Sequence, residues 1–284
     1  MQNKYITNNK DQFKDRVAVI TGSTQGSGAE TAKLLAYRGA KGITICGRKE
    51  KEGLSIKEEI EKTGSQCVYV KADLSEEKDC RNIVELTDKT FGRIDCLVNV
   101  AGFTERGTIL STTMNNYDMC FNVNTKAPFI LMQDSIKIMI RENIKGCIVN
   151  ILSMAMHSGH PFLAAYSASK AALANMTKNT ANAVAGHNIR VNALNIGWTD
   201  TPGEDAIQKK FHDGGEDWLE KAESKVPFKR LTKAIDVARA AAYFCSEESG
   251  LVTGSIIDYD QTVLGWHSYS AYDTNILDDN LLGE

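Results

Sequence analysis

The chain has 284 residues, 42% hydrophobic and 24% charged, the composition of an ordinary soluble globular protein able to bury a sizeable core. Thirty-three basic against 36 acidic residues give a formal net charge of −3 with no basic block, so the footprint of a nucleic-acid or anionic-membrane binder is absent and the expected partner is a small molecule. No apolar run approaches the ~18–20 residues that span a bilayer, the polar start lacks a signal-peptide core, and seven scattered cysteines without CxxC spacing suit reduced thiols rather than disulfides or zinc. A cytoplasmic protein without a metal site is expected.

Residues 1–13 read as a flexible leader. Residues 17–20 are a short apolar run, followed by TGSTQGSG at 21–28 and by helix formers at 29–37, the order strand, glycine turn, helix. Such a turn lets the backbone approach a pyrophosphate that no side chain blocks, while the first N–H groups of the helix face the anion. Gly22, Gly26 and Gly28 supply that geometry, with Ser23, Thr24, Gln25 and Ser27 as the other cofactor-facing positions of the turn. The next strand, 43–46, ends in Gly47-Arg48-Lys49, where an NAD-specific fold places an acidic residue on the adenosine ribose. Arg48 instead offers a planar fork to a 2′-phosphate, which favours NADP(H) over NAD(H); a surface arginine opening the next helix is the competing reading.

A helix at 51–62, a strand at 67–70, a turn in which Asp73 and Leu74 meet the adenine, a helix at 76–91 and a strand at 94–98 follow. The strand runs out into Asn99-Val100-Ala101-Gly102, where Ala101 and Gly102 are small enough to admit a cofactor ribose. Short apolar strands alternating with long amphipathic helices define an α/β fold, a doubly wound parallel sheet of Rossmann type covered on both faces in three α/β/α layers. No linker, repeat or low-complexity segment interrupts residues 14–260, which read as one domain.

The stretch IVNILSMAMHSGHPFLAAYSASK at 148–170 reads as a buried strand, a turn and a helix start. Tyr166 and Lys170 are four residues apart and share one helix face. A fixed cation there would lower the phenol from its ordinary value near ~10 toward the working range. Ser153 ends the strand, where its hydroxyl can bond the same substrate oxygen. A lone YxxxK is more often an ordinary helix pair with an extended lysine; the glycine turn is what raises this one above that.

With TGSTQGSG at 21–28, NVAG at 99–102, FNVN at 121–124, Ser153, YSASK at 166–170 and NIGWTDT at 195–201 in this order, the chain resembles a short-chain dehydrogenase/reductase of the single-domain type over residues 14–260. The resemblance implies a sheet of about seven strands in the order 3-2-1-4-5-6-7, and hydride transfer between a nicotinamide and a carbonyl or secondary alcohol. It implies that Tyr166 is the acid-base group, Lys170 its partner on the nicotinamide ribose, Ser153 the polarising hydroxyl and Asn124 the proton-relay asparagine, with Asn122 the less favoured candidate. It further implies that Asn99 steadies the central strand, that Asp73 meets the adenine, and that Gly197, Thr199 and Thr201 lie along the nicotinamide. Ser27, Val100 and Ile196 depart from the family pattern; Ile196 replaces a proline and loosens that loop. Neutral Gln25, where NADP-using relatives often have a cation, keeps NAD open. A homotetramer or homodimer through the helices near 114–141 and 164–185 is implied as well.

Residues 198–230 form a charged insertion expected to hang over the nicotinamide and set specificity. With His157 and His160 in the turn before Tyr166, it points to a small polar substrate, a sugar, polyol or hydroxy acid. A more apolar ketone, such as a steroid or an acyl carrier substrate, and a non-catalytic NAD(P)-binding sensor are the alternatives. Residues 261–284, with Trp266, His267, Tyr269 and Tyr272, are expected to form a tail that packs on a neighbouring subunit or narrows the site.

Overall fold

The computed structural model describes residues 9–157, 160–211 and 215–263. The N-terminal half alternates strands and helices: β1 Val17–Ile20, α1 Gly26–Tyr37, β2 Gly42–Gly47, α2 Glu50–Glu61, β3 Gln66–Lys71, α3 Glu77–Phe91 and β4 Cys96–Asn99. There follow α4 Met114–Phe121, α5 Ala127–Arg141, β5 Cys147–Ser153, α6 Ala164–Val184 and β6 Arg190–Ile196. The remainder comprises β7 Thr199–Asp200, α7 Pro202–Phe211, α8 Trp218–Ser224, β8 Thr232–Lys233, α9 Ala234–Cys245 and β9 Ile256–Tyr259.

Seven strands make one parallel sheet in the order β3-β2-β1-β4-β5-β6-β9, and β7 and β8 pair separately. This is the three-layer Rossmann arrangement read from the sequence. Strands with both faces covered need apolar residues at every position, and β1 and β4 are buried throughout. One face packs Leu35, Ile60 and Val237 from α1, α2 and α9; the other packs Ile83, Leu131 and Leu173 from α3, α5 and α6. The strand order reverses between β1 and β4, which opens a crevice beyond their carboxyl ends.

The structure departs from the sequence reading in three places. The chain is packed before residue 14: Phe13 is 1% exposed within the core, and its N–H donates to the Arg38 carbonyl at 3.0 Å. Polar neighbours masked this single apolar anchor. The helix expected over 114–141 is interrupted by a π-helical turn, Asn122–Lys126, whose extra residue shifts the helical phase. Cys96 and Cys147 are direct partners on adjacent strands, and with Cys245 their sulphurs lie within 4.8 Å of one another. Sequence spacing gave no sign of that cluster; both strand thiols point at the Cys245 carbonyl, 3.3 Å from Cys147 and 3.9 Å from Cys96. Residues 264–284, including the tail aromatics, lie outside the described residues. Among the described residues, no helix is long and apolar enough to cross a membrane.

Phe13→Ala should lower unfolding stability by about 3–5 kcal/mol, the usual cost of emptying a buried phenylalanine site, measured as a drop in the urea midpoint at unchanged slope; a change under 1 kcal/mol would place the leader boundary after Phe13.

Candidate active site

A cleft of about 880 Å³ lies at the carboxyl end of the sheet. Its cofactor half is built on the glycine turn. Gly22 (φ +61°) and Gly26 (φ +57°) occupy the left-handed region, which side chains other than glycine rarely adopt. A Cβ on Gly22 would come within 2.8 Å of the Ala101 backbone, and one on Gly28 would collide with the Gly22 carbonyl. The first turn of α1 has no side-chain cap and no acidic residue, so its N–H groups suit an anion. A cradle that any Cβ would fill, opening on an uncapped helix start, fits a dinucleotide pyrophosphate. Gly22, Thr24, Gln25, Gly26, Ser27 and Gly28 line it, with Ala101 and Gly102 across the cleft.

Ser23, expected on the cofactor, and Asn99, expected to steady the central strand, are placed behind the cleft wall. Ser23 is wholly buried; its hydroxyl donates to the Ile20 carbonyl at 2.6 Å and accepts from the Cys46 N–H at 3.0 Å, tying β1 to β2. Asn99 Nδ2 donates to Asn150 Oδ1 at 2.8 Å, and Asn150 Nδ2 to Thr177 Oγ1 at 3.0 Å. That chain links β4, β5 and α6 through the core.

At the adenosine end, Arg48 and Asp73 line the cleft with Leu74, the Arg48 guanidinium 4.0 Å from the Asp73 carboxylate. Burial pushes the Asp73 carboxyl up, but the Ser75 N–H and hydroxyl, with Arg48, outweigh it and hold it below the usual carboxylate value. Lys49 Nζ donates to Gln25 Oε1 at 2.9 Å. The cation missing at position 25 therefore arrives from position 49, a contact that adjacency in sequence does not reveal.

Ser153 closes β5 and Tyr166 stands in the first turn of α6, and both line the cleft. Tyr166 keeps some exposure to the cleft. Desolvation nevertheless pushes its phenol above the ordinary value, outweighing the downward pull of the Ser153 hydroxyl; Glu204 pushes it further up and Arg106 pulls it down. The sequence expectation that Lys170 lowers the phenol is thus not met. Lys170 Nζ donates to the Ile151 carbonyl at 2.8 Å, and burial lowers its own pKa to about 8. Burial, rather than ion-pair attraction, governs both groups.

Asn124 is fully buried in the π-helical turn. Its Oδ1 accepts from the Phe103 N–H at 2.8 Å, and its Nδ2 donates to the Phe103 carbonyl at 2.8 Å and to Ser169 Oγ at 2.9 Å. Both amide hydrogens are committed to protein, so Asn124 clamps the backbone; its Oδ1 and Lys170 Nζ both lie beside Gly102. Gly197, Thr199 and Thr201, expected along the nicotinamide, line the cleft. Thr199 Oγ1 donates to the Gly197 carbonyl at 2.9 Å, and Thr201 packs over Gly26, where a Cβ would stand 3.5 Å from it.

The outer wall holds residues that motif reading passed over. Arg106, Glu204, Gln208 and Asp260 line the cleft with His160 and Trp198. His157, read as a substrate contact, turns away: its Nε2 lies 3.1 Å from Asp258 Oδ1, which also accepts from Asn195 Nδ2 at 2.7 Å. The charged insertion packs around a small apolar cluster of Trp218 and Ala222 with Leu231. Trp218 is buried and donates to Asp205 Oδ1 at 2.7 Å, while Lys233 bridges Asp200 and Glu223 at 3.0 and 2.6 Å. Gln261 accepts from the Phe228 N–H at 2.7 Å and donates to the Arg230 carbonyl at 2.9 Å. His212 and Asp213 lie outside the described residues.

The sequence profile described as enoyl-(acyl carrier protein) reductase matches residues 22–263. An uncharacterized oxidoreductase from Thermotoga maritima is 37% identical over 87% of this chain and 97% of its own. The 3-oxoacyl-[acyl-carrier-protein] reductase of the same organism is 34% identical over 88% of this chain and 98% of its own. A short-chain type dehydrogenase/reductase from Mycobacterium marinum superposes with a TM-score of 0.80 at 24% identity, covering 89% of this chain and 97% of its own, a likeness of fold. The chain belongs to the short-chain dehydrogenase/reductase family, whose general activity is NAD(P)-dependent oxidoreduction.

The lowered Lys170 value has a thermodynamic consequence. Its folded pKa, about 8, lies below the ordinary 10.5, so between these values the unfolded state binds the extra proton. The cost of burying the ammonium is fully present below pH 8 and disappears as pH rises to 10.5. Relative to Lys170→Met, wild-type stability should rise across that window by about 3 kcal/mol, at ~1.4 kcal/mol per unit, in urea unfolding at stepped pH. A flat or falling difference would show that Lys170 is not held in this environment.

Proposed function

We propose that this protein is an NADP(H)-preferring oxidoreductase acting on the carbonyl or secondary alcohol of a small polar substrate, with Ser153, Tyr166 and Lys170 as its proton-handling group and Asn124 positioning the helix that bears Tyr166 and Lys170. The observation that supports this reading most directly is that Ser153 and Tyr166 line one cleft, with Lys170 one turn further along α6. A bound nicotinamide supplies or accepts the hydride. The protein orients and protonates. Tyr166, its phenol raised by burial, stays protonated at neutral pH and in the reductive direction gives its proton to the oxygen that becomes the alcohol. Ser153 polarises the same oxygen. Lys170, titrating at about 8, exchanges a proton close to neutral pH and can restore the phenol.

The cofactor preference rests on two cations at the end of β2. Arg48 is 70% exposed on its side chain at the adenosine end, and Lys49 stands over the glycine turn through Gln25. No acidic side chain occupies the position that would hold an unphosphorylated ribose. Reduction of a 3-oxoacyl group is the second reading, supported by likeness to the Thermotoga reductase, but the charged outer wall favours a polar substrate.

Tyr166→Phe should lower kcat by about 10²–10⁴ while the dissociation constant for NADPH, read by nucleotide fluorescence, stays within threefold; retained turnover would end the assignment. Replacing Arg48 and Lys49 together by alanine should weaken NADPH binding at least tenfold and leave NADH binding nearly unchanged, since charge-assisted bonds to a phosphate are lost. Equal weakening for both nucleotides would refute the preference.

A further inference from the structure

We propose that Cys96, Cys147 and Cys245 form a site for one monovalent thiophilic cation, Cu(I), held by three thiolates at the end of the sheet opposite the cleft. Cys96 opens β4 and Cys147 opens β5, and the two are register partners on adjacent parallel strands, so their side chains leave the same sheet face. Cys245 ends α9, which packs on that face. All three residues are buried. The Cys96 and Cys147 sulphurs are 3.3 Å apart, and all three sulphurs lie within 4.8 Å of one another. A trigonal ion with sulphur bonds of ~2.3 Å separates its ligands by about 4 Å, a spacing that falls between those two distances.

The donor set selects the ion. Thiolates favour soft ions such as Cu(I) and Zn(II). Structural zinc takes four ligands in tetrahedral geometry, and among the described residues this group contains no fourth His, Cys, Asp or Glu. Charge balance points the same way. Cu(I) displaces the three thiol protons to solvent, and the resulting tris-thiolate carries two negative charges, which in a buried place need paired cations. Arg16 and Arg190 both lie within electrostatic reach of the Cys147 sulphur. They also fix the third ligand: Arg16 Nη1 donates to the Cys245 carbonyl at 3.0 Å, and Arg190 donates to the Phe244 and Ser246 carbonyls at 2.9 Å each. Such outer bonds orient a ligand. Of the nearby acids, Asp95 is paired with Arg93 at 2.6 Å, and Glu247, 2.7 Å from Arg16, has a side chain 90% exposed and screened by water. Arg16 lines an outer groove with Arg190 and Glu247, the route by which the ion enters. Once bound, it ties α9 to β4 and β5 and stabilises the folded chain by mass action.

The test is anaerobic titration of the full-length protein with Cu(I) against a chromophoric Cu(I) chelator, followed by X-ray absorption at the copper edge. One Cu(I) per chain should pass from the chelator to the protein, with three sulphur neighbours near ~2.3 Å and no nitrogen or oxygen in the shell, and the urea midpoint of the loaded protein should rise. Cys245→Ala should weaken Cu(I) binding by about 100-fold or more, the loss of one of three metal bonds. Cys67→Ala, which removes a buried thiol outside the group, should change it by less than about threefold. A cooperative urea transition checks that each variant is folded; where Cys245→Ala does not fold, the copper absorption spectrum of the wild type decides. Copper left on the chelator, an equal loss in Cys67→Ala, a fourth ligand, or an unchanged urea midpoint overturns the proposal. Oxidation of Cys96 and Cys147 to a disulfide in place of copper uptake overturns it as well. None of these readouts involves turnover, so the oxidoreductase reading stands or falls separately.

Discussion

The position of the reactive side chains depends on the three hydrogen bonds of the Asn124 amide. Two grip the Phe103 N–H and carbonyl in the loop that leaves β4, and the third reaches Ser169 Oγ on α6. Ser169 Oγ in turn donates to the Tyr166 carbonyl at 2.7 Å, and Thr125 Oγ1 donates to the Ser169 carbonyl at 2.9 Å. One buried amide therefore fastens the β4 loop, the π-helical turn and the helix that bears Tyr166 and Lys170. Asn124 itself is fully buried, so losing any one of these bonds would leave a buried polar atom of its amide unsatisfied. The π-helical turn is the local cost of this arrangement, because an unbroken helix would give Asn124 a different angular position.

A second network sets the sheet beneath the site. Asn99, Asn150 and Thr177 cross from β4 through β5 to α6, and Thr177 closes back on the Leu173 carbonyl at 2.9 Å. Asparagine inside a buried parallel strand is tolerated when its amide finds partners, and Asn150 has one on each side, Asn99 and Thr177. The site thus rests on two polar chains that converge on α6 from different strands, and this helix is positioned by hydrogen-bond geometry as well as by packing. Ser153, at the end of the same β5, inherits that placement.

How far the sequence could be read follows from the range of the forces involved. Local periodicity and turn chemistry gave the sheet, its helices and the glycine turn, because β1, β2 and β4 are buried runs and Gly22 and Gly26 need positive φ. Motif spacing gave Ser153, Tyr166 and Lys170. It did not give Arg106, Asp260 or the Lys49–Gln25 contact, since these arise from pairing over long sequence separations. Ser23 and Asn99 lie within recognised motifs yet face the core, and only the strand orientation reveals that. Phe13 was hidden among polar neighbours, whereas the three-thiol cluster follows from the β4–β5 register combined with the end of α9. The sign of the Tyr166 shift was misread for a different reason: spacing on a helix face shows which groups are neighbours but not how much water surrounds them.

That last point shapes the chemistry. Burial raises the phenol of Tyr166 and lowers Lys170 to about 8, so desolvation drives both toward their neutral forms. In water the ordinary values are already in this neighbourhood, with tyrosine near ~10 and lysine near ~10.4, and neither would be preferred as the proton source. Inside the cleft the order is fixed: the ammonium gives up its proton first and the phenol holds its own. A site arranged in this way stores the proton on the group nearest the substrate and keeps the second donor one helical turn behind. Closing the cleft over a bound dinucleotide would remove more water and reinforce the same order, while any cationic or anionic group brought to the outer wall would shift it. Arg106 and Glu204 act on the phenol in opposite directions, so a substrate that neutralised only one of them would also change the phenol's proton affinity. Charge at the outer wall and the proton affinity of Tyr166 are therefore electrostatically coupled.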